Sequence, residues 1–257
     1  MTRALPWLYL VLAFGFIYLP VGALVLFSFQ DGRLPVPPFT GPSLRWYAEV
    51  LGDGDLTGAL AHSLIVAGGS SALAVALGFL AAWGLARHAL PGAALIRALL
   101  IAPLTVSYLI VGLGLLIVLT RAGLGLSLWT AAIGHVVINL PLAFAIIYAS
   151  MGAQQAGAER AARDLGAGEW QVLGLITVPM LMPSIAAAFF LAVTLSWDEF
   201  IIAFLLTRFD VTLPVEIWSL LRSGLSPRLN AIGSVVFLVS VALVLALEIF
   251  VLRRRRA

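Results

Sequence analysis

The chain has 257 residues, of which 62% are hydrophobic and only 11% charged, with a formal net charge of +3. A soluble domain carries roughly a quarter charged residues, so this balance excludes one and marks an integral membrane protein. There is no cysteine, which rules out a disulfide framework or a thiolate metal site. Every basic residue other than histidine is arginine, and without lysine the chain cannot carry the usual phosphate-binding loop of an ATPase.

A helix needs about 20 mostly apolar residues to cross roughly 30 Å of hydrocarbon. In chain order, Trp7–Phe29, Gly58–Ala86, Ala98–Thr120 and Leu126–Ser150 satisfy that length, and Ala231–Leu252 does so near the end. A further run, about Met180–Leu206, qualifies if Asp198 and Glu199 are accommodated near its far end. Trp7–Phe29 is longer than a signal-peptide core and lacks a small-residue cleavage site, so it reads as a retained span. The expected fold is an all-α membrane protein with six transmembrane helices. Its expected organisation is a first helix and external loop over 1–57, a membrane-spanning core over 58–252 and a basic tail over 253–257.

Six spans put both termini on one side. Arg3, Arg87, Arg97, Arg160, Arg163 and the cluster Arg253 to Arg256 then share a face, and the positive-inside rule makes that face cytoplasmic. The arginines of the opposite loops are largely offset by Asp31, Glu49, Asp53, Asp55, Asp210 and Glu216. Gln30–Thr57 and Thr207–Asn230 become outer loops, while the Arg87–Arg97 turn and Gly152–Pro179 lie in the cytoplasm. Within the chain there is no convincing repeat, which weighs against a self-contained secondary transporter built from two related halves.

Gly152–Pro179 concentrates charge in an otherwise apolar chain. Its first part predicts a short helix over Gln154–Leu165, with Ala158, Ala161, Ala162 and Leu165 on one side and Glu159, Arg160, Arg163 and Asp164 on the other. Glu159 and Arg163 are spaced for a pair four residues apart, worth roughly 0.2–0.5 kcal/mol. Gly166 follows as a C-terminal stop, where the backbone turns left-handed. A second amphipathic segment is expected from Glu169 to Thr177, with Pro179 opening the next span. An alanine face is too thin to anchor in lipid but lets another protein approach closely.

Arg160-Ala161-Ala162, three residues, Gly166, nine residues and Ile176-Thr177-Val178-Pro179 resemble the signature loop of ABC-importer permeases, the type I binding-protein-dependent transport family. That family's pattern is Glu-Ala-Ala, three residues, Gly, nine residues, Ile-x-Leu-Pro. Here Arg160 stands in place of the acid, with Glu159 one residue earlier, and Val178 in place of Leu. The segments SLRWYAEVL, AARDLGA, TLSWDEFIIAFLLT and TLPVEIWSLLRSGLSPRLNAIGS resemble the spermidine/putrescine permease subgroup. The resemblance implies a bacterial inner-membrane half-pore with a cytoplasmic coupling helix. Its partners would be a second permease subunit, two ATP-binding subunits and an external substrate-binding protein, with no nucleic acid. ATP and Mg would belong to the partner ATPase, and no cofactor is expected in this chain. The coupling residues it implies are Ala158, Glu159, Arg160, Ala161, Ala162, Asp164, Gly166 and Pro179.

Asp198 and Glu199 are the costliest residues in the spans, since a charge at mid-helix costs about 2.5–3.5 kcal/mol on insertion scales and normally faces a cavity, partner or interface. Adjacent on a helix, they point about 100° apart, so one wall cannot hold both. Asp198 is the first choice to line a pathway, with Glu199 beside it and Trp197 placed to box in an organic cation. His135 and Asn139, four apart on the fourth span, either face the pore or bond across helices. His62 is expected at the outer end of the second span and Glu248 near the inner surface.

No HExxH helix and no Gly-x-Ser-x-Gly elbow is present, so no catalytic or metal-binding residue is assigned. Two other readings stay open: the same family with an amino-acid-like compound or metal complex as substrate, and an ion-coupled secondary transporter.

Overall fold

The computed structural model describes residues 4–255. Among these residues twelve α-helices follow one another: α1 (Ala4–Ser28), α2 (Arg45–Gly52), α3 (Gly54–Arg87), α4 (Ala93–Ile101), α5 (Tyr108–Arg121), α6 (Leu128–Ser150), α7 (Ala153–Asp164), α8 (Glu169–Val172), α9 (Val178–Trp197), α10 (Ile201–Leu206), α11 (Leu213–Ser223) and α12 (Pro227–Arg255). Among the described residues, five helical runs are long and apolar enough to cross a membrane, and six if the bent pair α4 and α5 counts as one span. Arg3 and Arg256 of the proposed basic face, and the side chains of Arg253 to Arg255, lie outside the described residues.

Two of the expected continuous spans are broken. The run Ala98–Thr120 divides: α4 continues through a 3₁₀ turn at Ala102–Thr105, and the helix axis then bends by 108° over the extended Val106 and Ser107 before α5. Pro103 has no N–H and crowds the carbonyl four residues back, which ends the α register of α4 and leaves the 3₁₀ turn. The run Met180–Leu206 breaks after Trp197 and resumes as the short α10. At its other end this span starts well before Pro179: α8 leads through a π turn at Leu173–Thr177 into α9, giving one helical course from Glu169 to Trp197. Pro179 therefore lies inside the span. It cannot donate to the Leu175 carbonyl, and the wider π turn just before it takes up that mismatch.

The chain forms two compact units. One holds the residues up to Gly58 together with Glu216–Val241. Here the buried Gln30 clamps its own loop: its amide donates to Pro38 O at 3.1 Å and accepts from Thr40 N at 3.0 Å, while Trp46 Nε1 donates to Gln30 O at 2.6 Å. Asp53 caps α3 by accepting from Asp55 N at 2.9 Å and Leu56 N at 3.1 Å. The same carboxylate pairs with Arg228, which also reaches Glu49 at 3.7 Å.

The second unit spans Ala59–Val215 with the segment from Ala242 onward and contains the residues of the candidate sites. Its core joins α3, α6 and α9 through Val75, Phe79, Ala82, Ala143, Phe144, Ile147, Leu181 and Ala188. Backbones approach closely there, since a Cβ on Gly78 would lie 2.8 Å from Phe144 N. A second cluster joins α5, α6 and α10 through Leu119, Ala131, Ile138, Ile202 and Leu206. Small residues at such contacts bring helices together where the hydrophobic effect between them is weak.

Candidate functional site

Two places in the second unit hold polar chemistry. The first is the break at Asp198–Phe200. Glu199 turns inward, its Oε1 accepting from Ile201 N at 2.9 Å and its Oε2 from Ile202 N at 2.8 Å and Ala203 N at 3.3 Å. A carboxylate against the first amides of a helix satisfies orphan donors and meets the positive end of the helix dipole. At the other end of α10, the Leu206 carbonyl accepts from Ser127 N at 3.1 Å and Thr130 Oγ1 at 2.8 Å. These are the residues that form the capping box of α6. Between its two caps α10 fits against glycines: a Cβ on Gly134 would meet Ile202 Cγ2 at 2.4 Å, and one on Gly112 would meet Leu205 Cδ1 at 2.7 Å. Capping at both ends and the glycine contacts make the break a built feature of the span.

The break separates the two acids. Asp198 is exposed, whereas Glu199 is 6% exposed and consumed by the cap. His135 is buried with its Nδ1 2.5 Å from Ser196 Oγ, which lies 3.3 Å from Ser70 Oγ, so three spans share one polar contact. His135 Nε2 stands 3.8 Å from Glu199 Oε2, beyond hydrogen-bond range. Asn139 and Trp197 are buried too, and the Asn139 amide and Trp197 Nε1 find no hydrogen-bond partner within the described residues. Of the five residues proposed for a pathway, only Asp198 opens to a surface of this chain. His62 is engaged as well, its Nδ1 lying 3.2 Å from the Val211 carbonyl.

The second place is α7. Gly152 N donates to Gln155 Oε1 at 3.1 Å, starting the helix one residue before the expected Gln154. Gly166 has φ of +88°, with Gly166 N on Arg163 O at 2.9 Å and Ala167 N on Ala162 O at 3.0 Å. That pair of bonds is the Schellman end that glycine permits.

The expected pairing of Glu159 with Arg163 is corrected by the structure. Glu159 turns inward and binds Arg87 Nε at 2.6 Å and Thr177 Oγ1 at 2.9 Å. Arg163 instead makes a two-point contact with Glu169, at 2.7 and 3.0 Å. A buried guanidinium and hydroxyl outcompete a solvated neighbour four residues away, because the pair is strengthened where water is excluded. Facing outward are Arg160, Ala161, Asp164 and Gly166, with Leu165 at 90% and Trp170 at 82% exposure. Ala158 and Ala162 are half-buried. Sequence reasoning placed Leu165 on the alanine face but missed Trp170, whose signal was a large aromatic among glycines and charges.

Residues 74–256 match the family described as the binding-protein-dependent transport system inner membrane component. This chain belongs to that family. The permease is 34% identical over 244 residues to the putrescine transport system permease protein PotI of Escherichia coli K12, covering 90% of this chain and 85% of PotI. To the spermidine/putrescine transport system permease protein PotC of the same strain it is 27% identical over 238 residues, covering 92% and 89% respectively. Its fold is shared with a solved bacterial ABC transporter that imports the acidic polysaccharide alginate, at a TM-score of 0.76 and 18% identity over 97% of this chain and 93% of that one. An amino acid ABC transporter with histidines matches at a TM-score of 0.61 and 15% identity, over 81% and 98%.

Proposed function

We propose that this permease forms half of the translocation pathway for a polyamine, or a similar small organic cation, in an importer driven by ATP hydrolysis in partner subunits. The second half would be a PotB-like permease, the motor two PotA-like subunits carrying ATP and Mg, and the delivery protein PotD-like and external. Both termini and α7 are assigned to the cytoplasm, in keeping with the arginines of that face. The outward set Arg160, Ala161, Asp164, Leu165, Gly166 and Trp170 is the docking face for the motor, with Ala158 and Ala162 behind it and Pro179 inside the following span. Hydrolysis moves α7 as a lever, and the spans rock between two openings.

The observation that carries the cationic substrate is Asp198, left exposed where a span is interrupted while its neighbour Glu199 is withdrawn into a cap. An exposed carboxylate within a span is retained where a cation or a water-filled cavity meets it. Glu199, Trp197, His135 and Asn139 support the pathway from behind.

The test is uptake of labelled putrescine and spermidine by vesicles holding the complete importer, with proton and sodium gradients collapsed. Uptake that persists and stops when ATP is withheld supports the reading, and uptake that follows an ion gradient defeats it. In the same vesicles Asp198→Asn is expected to weaken spermidine uptake about tenfold, equivalent to about 1.4 kcal/mol, while a neutral substrate analogue is affected far less. Equal effects on both would remove Asp198 from the pathway.

A further inference from the structure

α7 is held to the rest of its unit in an unusual way. Among its described residues only Glu159 is buried. That one carboxylate binds two different spans: Oε2 takes Arg87 from the end of α3, and Oε1 takes Thr177 from the π turn before α9. The pair is shielded, with the Arg87 and Glu159 side chains at 11% and 1% exposure. Arg87 Nη2 is buried there without an acceptor among the described residues, so the node is not fully satisfied in this arrangement. Thr177 closes a π turn, whose i→i+5 register is wider than that of an α-helix and occurs mostly as single turns, frequently at functional sites. The next turn contains Pro179, which supplies no N–H.

We infer that Glu159 is a transmission residue: its buried carboxylate passes displacement of α7 to α3 through Arg87 and to α9 through Thr177. The inference rests on the reading of α7 as the helix that docks on the ATP-hydrolysing subunit. Stiffness is what the node supplies. Alanines that touch neighbours with one methyl group slide under load, whereas charge-assisted bonds of 2.6 and 2.9 Å fix direction and distance. Because both bonds end on one carboxylate, the two spans cannot respond to α7 independently. The π turn is the compliant element, able to tighten or widen as Thr177 is pulled, and the orphan Arg87 nitrogen gives a second arrangement something to satisfy. Glu159 is a positioning residue in this scheme, since it touches neither substrate nor motor.

The experiment uses the complete importer in proteoliposomes and measures substrate imported per ATP hydrolysed, together with retention of the motor on the purified permease. Glu159→Gln, which keeps an oxygen for Thr177 but loses the charge facing Arg87, is expected to lower that ratio about tenfold with the motor retained. Thr177→Val, which exchanges a hydroxyl for a methyl, is expected to lower it about threefold, and it decides the matter if Glu159→Gln fails to assemble. An unchanged ratio in Thr177→Val, or transport and hydrolysis falling together in both variants, overturns the inference and leaves a merely structural node. If instead the wild-type permease does not retain the motor, or Leu165→Ala with Trp170→Ala leaves retention untouched, it is the docking reading that has failed.

Discussion

Removing the Glu199 carboxylate tests whether the interruption of the fifth span is built or incidental. Glu199→Ala strips three backbone amides of their acceptor, two of them in good bonds of 2.9 and 2.8 Å and one longer at 3.3 Å. Hydrogen bonds to a charged group contribute roughly 1.5–3 kcal/mol each. The substitution also relieves the desolvation of a buried carboxylate, which costs several kcal/mol, so the net loss is about 3 kcal/mol. Gln keeps one accepting oxygen and should lose about half of that. For a chain of this size, each kcal/mol moves the thermal midpoint by roughly 2–4 °C, which places Glu199→Ala roughly 6–12 °C below the wild type. The assay is thermal unfolding of the permease in lipid nanodiscs, followed by tryptophan fluorescence. A midpoint within about 2 °C of the wild type, or Gln more harmful than Ala, would refute the capping argument.

Three other outcomes are expected. Gly134→Leu drives a side chain into Ile202 and Leu206 and should destabilise by about 1–3 kcal/mol or more; unfolding in nanodiscs measures it, and a neutral result would mean α10 does not pack where described. Gly166→Val places a branched residue at φ of +88°, costing roughly 1–2 kcal/mol or more and misdirecting the proposed docking face; uptake should fall at least about tenfold, and wild-type uptake would contradict this. The Asp53 carboxyl is held below the ordinary carboxylate range by the Leu56 N–H first, with Arg228 and the Asp55 N–H adding to it against the opposing effect of burial. Its contribution is thus complete above the unfolded pKa of about 4 and lost as pH falls through the lower folded value, so acid titration of Asp53→Asn should lack the part of the stability loss that the wild type shows below about pH 4.

Much of this architecture was written in local chemistry. Apolar length located the spans because the bilayer thickness is fixed, and the short helix ending at Gly166 was legible because capping depends on residues a few positions apart. The division of labour between Asp198 and Glu199 was half legible: helical geometry said that they diverge, but not which one a helix terminus would claim. The break itself was hidden, since Ile201–Leu206 is as apolar as the run before it and continuity looked equally favourable. What interrupts it lies elsewhere in the chain, in Gly112 and Gly134, whose bare backbones admit α10, and in Ser127 and Thr130, which take its last carbonyl.

The same distinction separates the two readings of Glu159. By itself the sequence determined that an acid stands on a helix four residues from Arg163, a pairing whose strength depends only on helical pitch. Tertiary structure alone decided that the carboxylate turns to Arg87, 72 positions away, and to Thr177, 18 positions away. Burial makes the difference: excluding water strengthens an ion pair far more than proximity along an exposed helix can, and burial is a property that residues acquire only when distant segments close around them.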